Sequence, residues 1–289
     1  MNRSPHHLFL LFVFIFSLIS CSSDDSSETT ELEAEFHENV SYGTLPEQVY
    51  DIYLPAGRSA ETTKTLILVH GGFWSSGDKS DLTEYMDLLR ETLPEYAIVN
   101  MNYVLATSST PAFPSQFEDM DLLINSLSSQ KEDLQILPEF GLVGVSSGAH
   151  ISLQYDYVYD TDDQVKIVCD IVGPTDFTDP FYTEQAGFEN LVTFLVDEAA
   201  YPENTDFTIA LSPAFNVSSV SSPTILFYGE EDELVPTSNA YALETALENA
   251  GITHSLTFYP GGHGDWSEES FEDLKVKLKG FIQTYFEIL

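Results

Sequence analysis

Cysteine is nearly missing from this chain: 289 residues contain two, Cys21 behind an apolar leader and Cys169 inside the run Val165–Val172. With Cys21 committed to the leader's chemistry, no intramolecular disulfide is possible, so stability must come from a hydrophobic core. Basic residues are also scarce. Ten Lys and Arg stand against 47 Asp and Glu, a formal net charge of -37. A surface this acidic repels phosphate backbones, which excludes nucleic acid as a ligand and disfavours polyanionic polysaccharides and anionic headgroups. Neither CxxC, His-Glu-x-x-His nor a calcium-loop pattern occurs, so no metal or other cofactor is expected. Nor is there a long apolar run. The longest, Leu8 to Ile19 interrupted by Ser17, falls short of the roughly 20 residues that span a bilayer.

That run, preceded by Arg3, reads as a secretory signal over residues 1–20. It ends in Leu18-Ile19-Ser20-Cys21, which resembles the lipobox of bacterial lipoproteins and implies acylation of Cys21. Residues 21–38 are polar and acidic with almost nothing to bury, as expected of a disordered tether. The acids just after Cys21 resemble a surface-export signal of some Gram-negative lipoproteins. An exported protein held by lipid to a bacterial membrane, the outer membrane or the cell surface, is the expected location.

Residues 39–289 are ample for one large α/β domain. Val49–Leu54 alternates in polarity and reads as an edge strand. Lys64–Val69 is continuously apolar, as a strand buried on both faces should be. Ser80 is placed to cap a helix carrying Leu82, Met86, Leu89 and Leu93 on one stripe. Strands then alternate with amphipathic helices to the C-terminus, except over 173–215, where prolines and aromatics break the rhythm. The pattern predicts a mostly parallel central sheet with helices on both faces and a small cap-like insertion at 173–215.

Parallel sheets present working residues beyond the C-terminal ends of their strands. Here those ends carry His70-Gly71-Gly72-Phe73-Trp74, then Gly144-Val145-Ser146-Ser147-Gly148-Ala149-His150, then Gly229 to Pro236 with Asp232, then Gly261-Gly262-His263-Gly264. The order Ser, Asp, His and these four motifs resemble the α/β-hydrolase superfamily, in its hormone-sensitive-lipase-like and carbohydrate-esterase-like branch. The likeness runs from about residue 45 to the end. Phe73 stands where the lipase branch has a third glycine, which is the pattern of the HGG-x-W variants, formamidases among them.

The resemblance implies a role for each residue. Ser146 is the nucleophile, His263 its base, and Asp232 the acid that fixes the imidazole tautomer. Backbone amides of Ser147 and of Gly72 or Phe73, in the Gly71-Gly72-Phe73 loop, form the oxyanion hole. Each has rivals. His70, His150 and His254 compete with His263, but His70 belongs to the glycine loop, His150 is placed to pack on its helix, and His254 precedes a strand. Glu230, Glu231, Glu233 and Asp176 compete with Asp232, which alone has the family spacing; Asp265 reads as an exposed loop acid. Trp74 either shapes the pocket or packs in the core.

These residues predict a serine esterase cleaving short-acyl esters of polar or sugar alcohols. Its partners would be a small-molecule or oligosaccharide ester and, through Cys21, the membrane. Two alternatives are an amide-cleaving relative of formamidase or peptidase type, and a hydrolase-fold binding protein without catalysis. The secretory signal argues against the first and the complete residue set against the second.

Overall fold

The computed structural model describes residues 32–288. The expected signal segment, Cys21 and the tether as far as residue 31 lie outside the described residues. One sheet contains β1 Glu35–Ser41, β2 Val49–Leu54, β3 Thr65–Val69, β4 Ala97–Met101, β5 Phe140–Val145, β6 Val165–Ile171, β7 Thr224–Gly229 and β8 His254–Tyr259. Their spatial order is β1-β2-β4-β3-β5-β6-β7-β8. The pairs β1–β2 and β2–β4 are antiparallel, and all the others are parallel. The helices are α1 Thr83–Thr92, α2 Ser115–Ser129, α3 Lys131–Leu134, α4 Ser147–Gln154, α5 Pro180–Thr183, α6 Phe188–Leu195, α7 Phe207–Ala210, α8 Pro213–Asn216, α9 Thr237–Ala250 and α10 Glu268–Tyr285.

Strands β3 to β7 are largely apolar because helices cover both faces, and their period of two sorts alternate side chains between two cores. Ile67 and Val69 of β3 join the core containing Phe117 and Leu123 of α2 and Leu243 of α9. Leu66 and Leu68, on the opposite face, pack with Met86 and Leu89 of α1 and with Leu274 and Leu278 of α10. Both sets are fully buried.

Three expectations need correction. The tether does not extend to residue 38, because β1 begins at Glu35. Consequently Val49–Leu54 is not the edge strand; β1 covers it. The sequence EFHENVS concealed this because almost all of β1 is solvent-exposed, so nothing in it carries a burial signal. Its order comes from the backbone ladder to β2, with buried Arg58 donating to the Glu33 carbonyl and pairing with the Glu35 carboxylate. Third, Ser80 is not the helix cap. Asp78 accepts from the Ser80 amide at 2.9 Å, Asp81 accepts from the Asp78 amide at 3.0 Å, and a tight turn over Lys79–Leu82 leads into α1. An aspartate outcompetes a serine here because its two oxygens satisfy the first free amides while a second acid answers its own.

Helices α5 to α8 lie between β6 and β7, where the rhythm of the sequence broke. This insertion is fastened to the core by two backbone bonds, Phe113 N–H to the Leu195 carbonyl at 2.8 Å and Asp197 N–H to the Phe113 carbonyl at 2.9 Å. Its first residues are held by Asn239 Oδ1, which accepts from the amides of Thr175 and Asp176.

Candidate active site

Strand β5 passes into α4 without a loop, and Ser146 is the hinge between them. Its backbone sits at φ 55° and ψ -121°, a region that costs a non-glycine residue about 1–3 kcal/mol. The surroundings enforce it. Ser146 N–H donates to the Ile171 carbonyl at 2.8 Å, while its own carbonyl takes the amides of Ala149 and His150. Close approach is what the two motif glycines permit. A Cβ on Gly148 would lie 2.1 Å from the Val69 carbonyl oxygen, and one on Gly144 would lie 2.4 Å from Ala149 Cα.

Three loops converge on this hinge. His263 Nε2 stands 2.8 Å from Ser146 Oγ, and His263 Nδ1 stands 2.7 Å from Asp232 Oδ2. The other Asp232 oxygen accepts from the amides of Leu234 and Val235 at 2.8 and 2.9 Å. Burial alone would raise this carboxyl, but the bonds from His263 and the two amides outweigh it and hold Asp232 below the usual aspartate value. The carboxylate therefore stays ionised beside the imidazole. The loop carrying His263 is closed by Trp266, whose Nε1–H donates to the Gly262 carbonyl at 2.9 Å. Asp265 is exposed and accepts from the Gly262 amide at 2.5 Å, so it braces that loop rather than touching His263.

The rivals are accounted for elsewhere. Asp176 accepts from the amide and hydroxyl of Thr178, closing its own turn. His254 begins β8 and bonds the Ile252 carbonyl. His70 bonds the Gly71 carbonyl at 2.7 Å and stacks on Tyr103 with centroids 4.3 Å apart. It braces the glycine loop, and Tyr103 adds a second brace by donating to the His70 carbonyl at 2.9 Å. Phe73 and Trp74 both adopt positive φ, 52° and 60°, so the chain turns sharply after Gly72. Among the described residues, the amides of Gly71, Gly72, Phe73 and Ser147 donate to no protein acceptor. That Ser147 amide opens α4, where the helix leaves its first amides free and its dipole favours negative charge.

A cavity of about 280 Å³ opens on Ser146, Ser147 and His263. Its walls are largely aromatic: Trp74, Phe177, Phe181, Tyr182 and Phe188, with Leu191. Trp74 thus serves both of its expected roles, since it lines the cavity and is buried. Its Nε1–H donates to His150 Nδ1 at 3.2 Å, which leaves His150 Nε2–H to donate to the Leu211 carbonyl at 2.8 Å. His150 is therefore a neutral bridge from the site's wall to the insertion.

Two features had no signal in the chain. Asp170 in β6, paired with Gly144 of β5, hydrogen-bonds Tyr228 Oη at 2.6 Å and accepts from Gly173 N–H at 2.7 Å. Burial raises its carboxyl to about 7, against the lowering effect of those two bonds. Tyr182 Oη is buried without a partner among the described residues. An apolar run conceals an aspartate like Asp170, and only the folded packing shows that Tyr182 lacks an acceptor.

Fold and site together define an α/β-hydrolase. The chain belongs to the BD-FAE family, whose model matches residues 50–247, more than half of it. Among curated proteins it is similar to Esterase LipC of Mycobacterium tuberculosis, 23% identical over 241 residues, covering 78% of this chain and 59% of that one. It is also similar to Esterase LipQ of the same organism, 26% identical over 234 residues, covering 75% and 54%. The chain thus spans a little over half the length of these relatives. A solved structure titled as a truncated carbohydrate esterase from gut microbiota superposes with a TM-score of 0.70 at 20% identity, covering 86% of this chain and 96% of that one.

His150 has a measurable consequence. Burial holds its imidazole at about 4, opposed in part by the Leu211 carbonyl, so the folded state keeps it neutral where the unfolded chain takes up a proton near pH 6.5. A depressed histidine favours the unfolded state as pH falls from about 6.5 towards 4, by up to about 3 kcal/mol. His150→Gln can still accept from Trp74 and donate to Leu211. Between pH 7 and 4.5, urea denaturation should show this variant losing about 2–3 kcal/mol less stability than wild type. Equal losses would refute the neutral bridge.

Proposed function

We propose that this protein is a serine hydrolase of carboxylic esters, acting through Ser146, His263 and Asp232. The observation that carries the reading is the unbroken chain of short contacts, 2.8 Å from Oγ to Nε2 and 2.7 Å from Nδ1 to Oδ2. In the first step Ser146 Oγ bonds to the ester carbonyl carbon and its proton passes to His263 Nε2. Asp232 stabilises the imidazolium. Negative charge on the former carbonyl oxygen is met by the Ser147 amide and by Phe73 or Gly72 N–H. The carbon–alcohol bond then breaks, and His263 returns the proton to the leaving oxygen. Water repeats the sequence on the acyl-enzyme, releasing the acid and restoring Ser146.

The similarity to proteins named as esterases supports this class of reaction. The acyl group is proposed to be short, acetyl-like, and the alcohol polar or a sugar. At about 280 Å³ the cavity beside Ser146 falls just below the roughly 300–1,000 Å³ typical of ligand pockets. Its aromatic walls suit an apolar acyl stub, while the acidic exterior disfavours work on anionic lipid interfaces. Cys21 is proposed to carry the lipid anchor, with the enzyme tethered outside the cytoplasm; among the described residues no helix is long and apolar enough to cross a membrane.

Ser146→Ala and His263→Ala should each lower kcat by about 10⁶-fold, with the double variant no worse, because both act in one step. Asp232→Asn should cost about 10⁴-fold by favouring the wrong tautomer. A near-normal rate in Asp232→Asn together with loss in Asp176→Asn would displace the acid. Across 4-nitrophenyl esters, kcat/KM for acetyl and propionyl should exceed that for octanoyl by tenfold or more. A steady rise through decanoyl and palmitoyl would point to a lipase instead. For the anchor, Cys21→Ser should move the protein from the membrane fraction to the soluble one with activity intact. Equal membrane association of both forms would defeat it.

A further inference from the structure

Tyr228 Oη lies 2.6 Å from two oxygens at once, Oδ2 of Asp170 and the carbonyl of Gly173. Asp170 Oδ1 takes the Gly173 amide at 2.7 Å, so the three groups form a closed ring. The phenol has one proton to give and the carbonyl has none. When Tyr228 donates to Asp170, the carbonyl is left facing a phenol lone pair. When it donates to the carbonyl, the contact with Asp170 needs a proton from the acid. One proton shared between both acceptors would lengthen each contact, yet each is shorter than the roughly 2.7–2.8 Å commonest for an O–H···O bond. We propose that Asp170 is a positioning residue that works in its neutral form. Its Oδ2–H donates to Tyr228 Oη, the Tyr228 hydrogen goes to the Gly173 carbonyl, and the ring sets the turn that holds the Ser146 amide. The catalytic consequence rests on the esterase reading above.

The surroundings favour a neutral acid. Asp170 is fully buried, and among the described residues no cation pairs with it. A buried carboxylate without a counter-ion is costly, and such a group keeps its proton instead. The ionisable groups around it supply no positive charge. Strand β7 contributes Tyr228, the helical turn Tyr155–Tyr159 contributes Tyr157 and Asp156, and α5 contributes Tyr182 near Tyr228. Strand β5, which sets Gly144 against Asp170, has none. Helix α4 has only His150, neutral and bonded to Leu211, while α9 turns Ala240, Leu243 and Leu247 towards the core. The neighbouring Cys169 belongs to the opposite core. Burial accordingly carries the Asp170 carboxyl to about 7, with Tyr228 and the Gly173 amide opposing it.

The ring closes a four-residue turn that touches the site at each step. Ile171, second in the turn, gives its carbonyl to the Ser146 amide at 2.8 Å. Val172, third, is held at φ 51°, with its amide on the Phe227 carbonyl at 2.9 Å. A β-branched residue seldom adopts that conformation, so the turn needs its fastenings. Gly173, fourth, lies against Ala149 of α4 too closely for a side chain. Pro174 follows and lines the cavity beside Ser146. An ionised Asp170 has no proton for Tyr228, so one of the two short contacts is lost and the turn loosens. Ser146 then loses part of what holds its amide in place.

Asp170→Asn tests the proton directly, since the amide keeps a permanent N–H for Tyr228 and an oxygen for the Gly173 amide. With the full chain and 4-nitrophenyl acetate, wild-type kcat should fall about fivefold or more from about pH 7 to 9, while Asp170→Asn stays within about twofold. Tyr228→Phe, which breaks the ring at any pH, should lower kcat about tenfold throughout. Two readouts are independent of turnover. An infrared difference spectrum, wild type minus Asp170→Asn, should show a protonated-carboxyl band at about pH 6 that is gone by about pH 8.5; Asp156, a second buried acid raised to about 7, is common to both and cancels. In urea denaturation, the folding equilibrium constant of wild type relative to Asp170→Asn should fall about a hundredfold or more from about pH 4 to 8. A carboxyl raised in the folded state stabilises fully below its unfolded value, and that contribution is lost as pH rises through the folded one. Absence of the band, an alkaline loss equal in wild type and Asp170→Asn, or Asp170→Asn as damaging as Tyr228→Phe would each overturn the assignment. Wild type inert towards 4-nitrophenyl acetate would instead defeat the esterase reading, with the band and the folding equilibrium still deciding the proton on Asp170.

Discussion

Everything at the site depends on the left-handed backbone of Ser146, held where β5 turns directly into α4. At φ 55° the chain reverses within one residue, so the serine side chain stands clear of the sheet while the next amide begins a helix. The conformation is costly for a serine and persists because its neighbours over-determine it. The Ile171 carbonyl takes its amide, and the carbonyl of Val69 presses so close to Gly148 that no side chain fits between them. On the neighbouring strands, Asp170 of β6 hydrogen-bonds Tyr228 of β7 and accepts from the Gly173 amide just past β6.

From that fixed point the electrostatics follow. A carboxylate is buried yet kept ionised, because His263 and two amides supply more stabilisation than burial removes. The two other histidines nearest the site are treated in the opposite way. Burial lowers both His70 and His150, and each is engaged by backbone: His70 with the Gly71 carbonyl, His150 with that of Leu211. They brace loops and stay neutral. His263 is the one that touches both a carboxylate and a serine. His263 also lines two cavities, one of about 280 Å³ on the Ser146 side and one of about 920 Å³ bordered by Gly71 and Gly72.

Much of this was legible in the chain because strand ends are marked by glycines and the parallel sheet gathers those ends together. Apolar runs bounded by turn residues mark β3 and β5, and the four terminal motifs mark Ser146, Asp232, His263 and the glycine loop. What escaped notice had no hydrophobic signature. Strand β1 is exposed along nearly its whole length, so composition placed its first residues in the tether. Asp78 looked like any loop acid until it was found capping the turn ahead of α1, in place of Ser80.

The sequence by itself determined the alternation of strands and helices, the insertion after β6 and the identity of the convergent polar residues. Those depend on local pattern: periodicity, turn chemistry and the small residues a tight junction requires. Only the tertiary structure decided that β1 caps the sheet edge, that Asp170 pairs with Tyr228, that His150 bridges Trp74 to the insertion, and that two cavities meet at His263. Each of these joins residues far apart in the chain through a hydrogen bond or a shared surface. Such pairings depend on where the elements pack, and no local window of the sequence contains both partners.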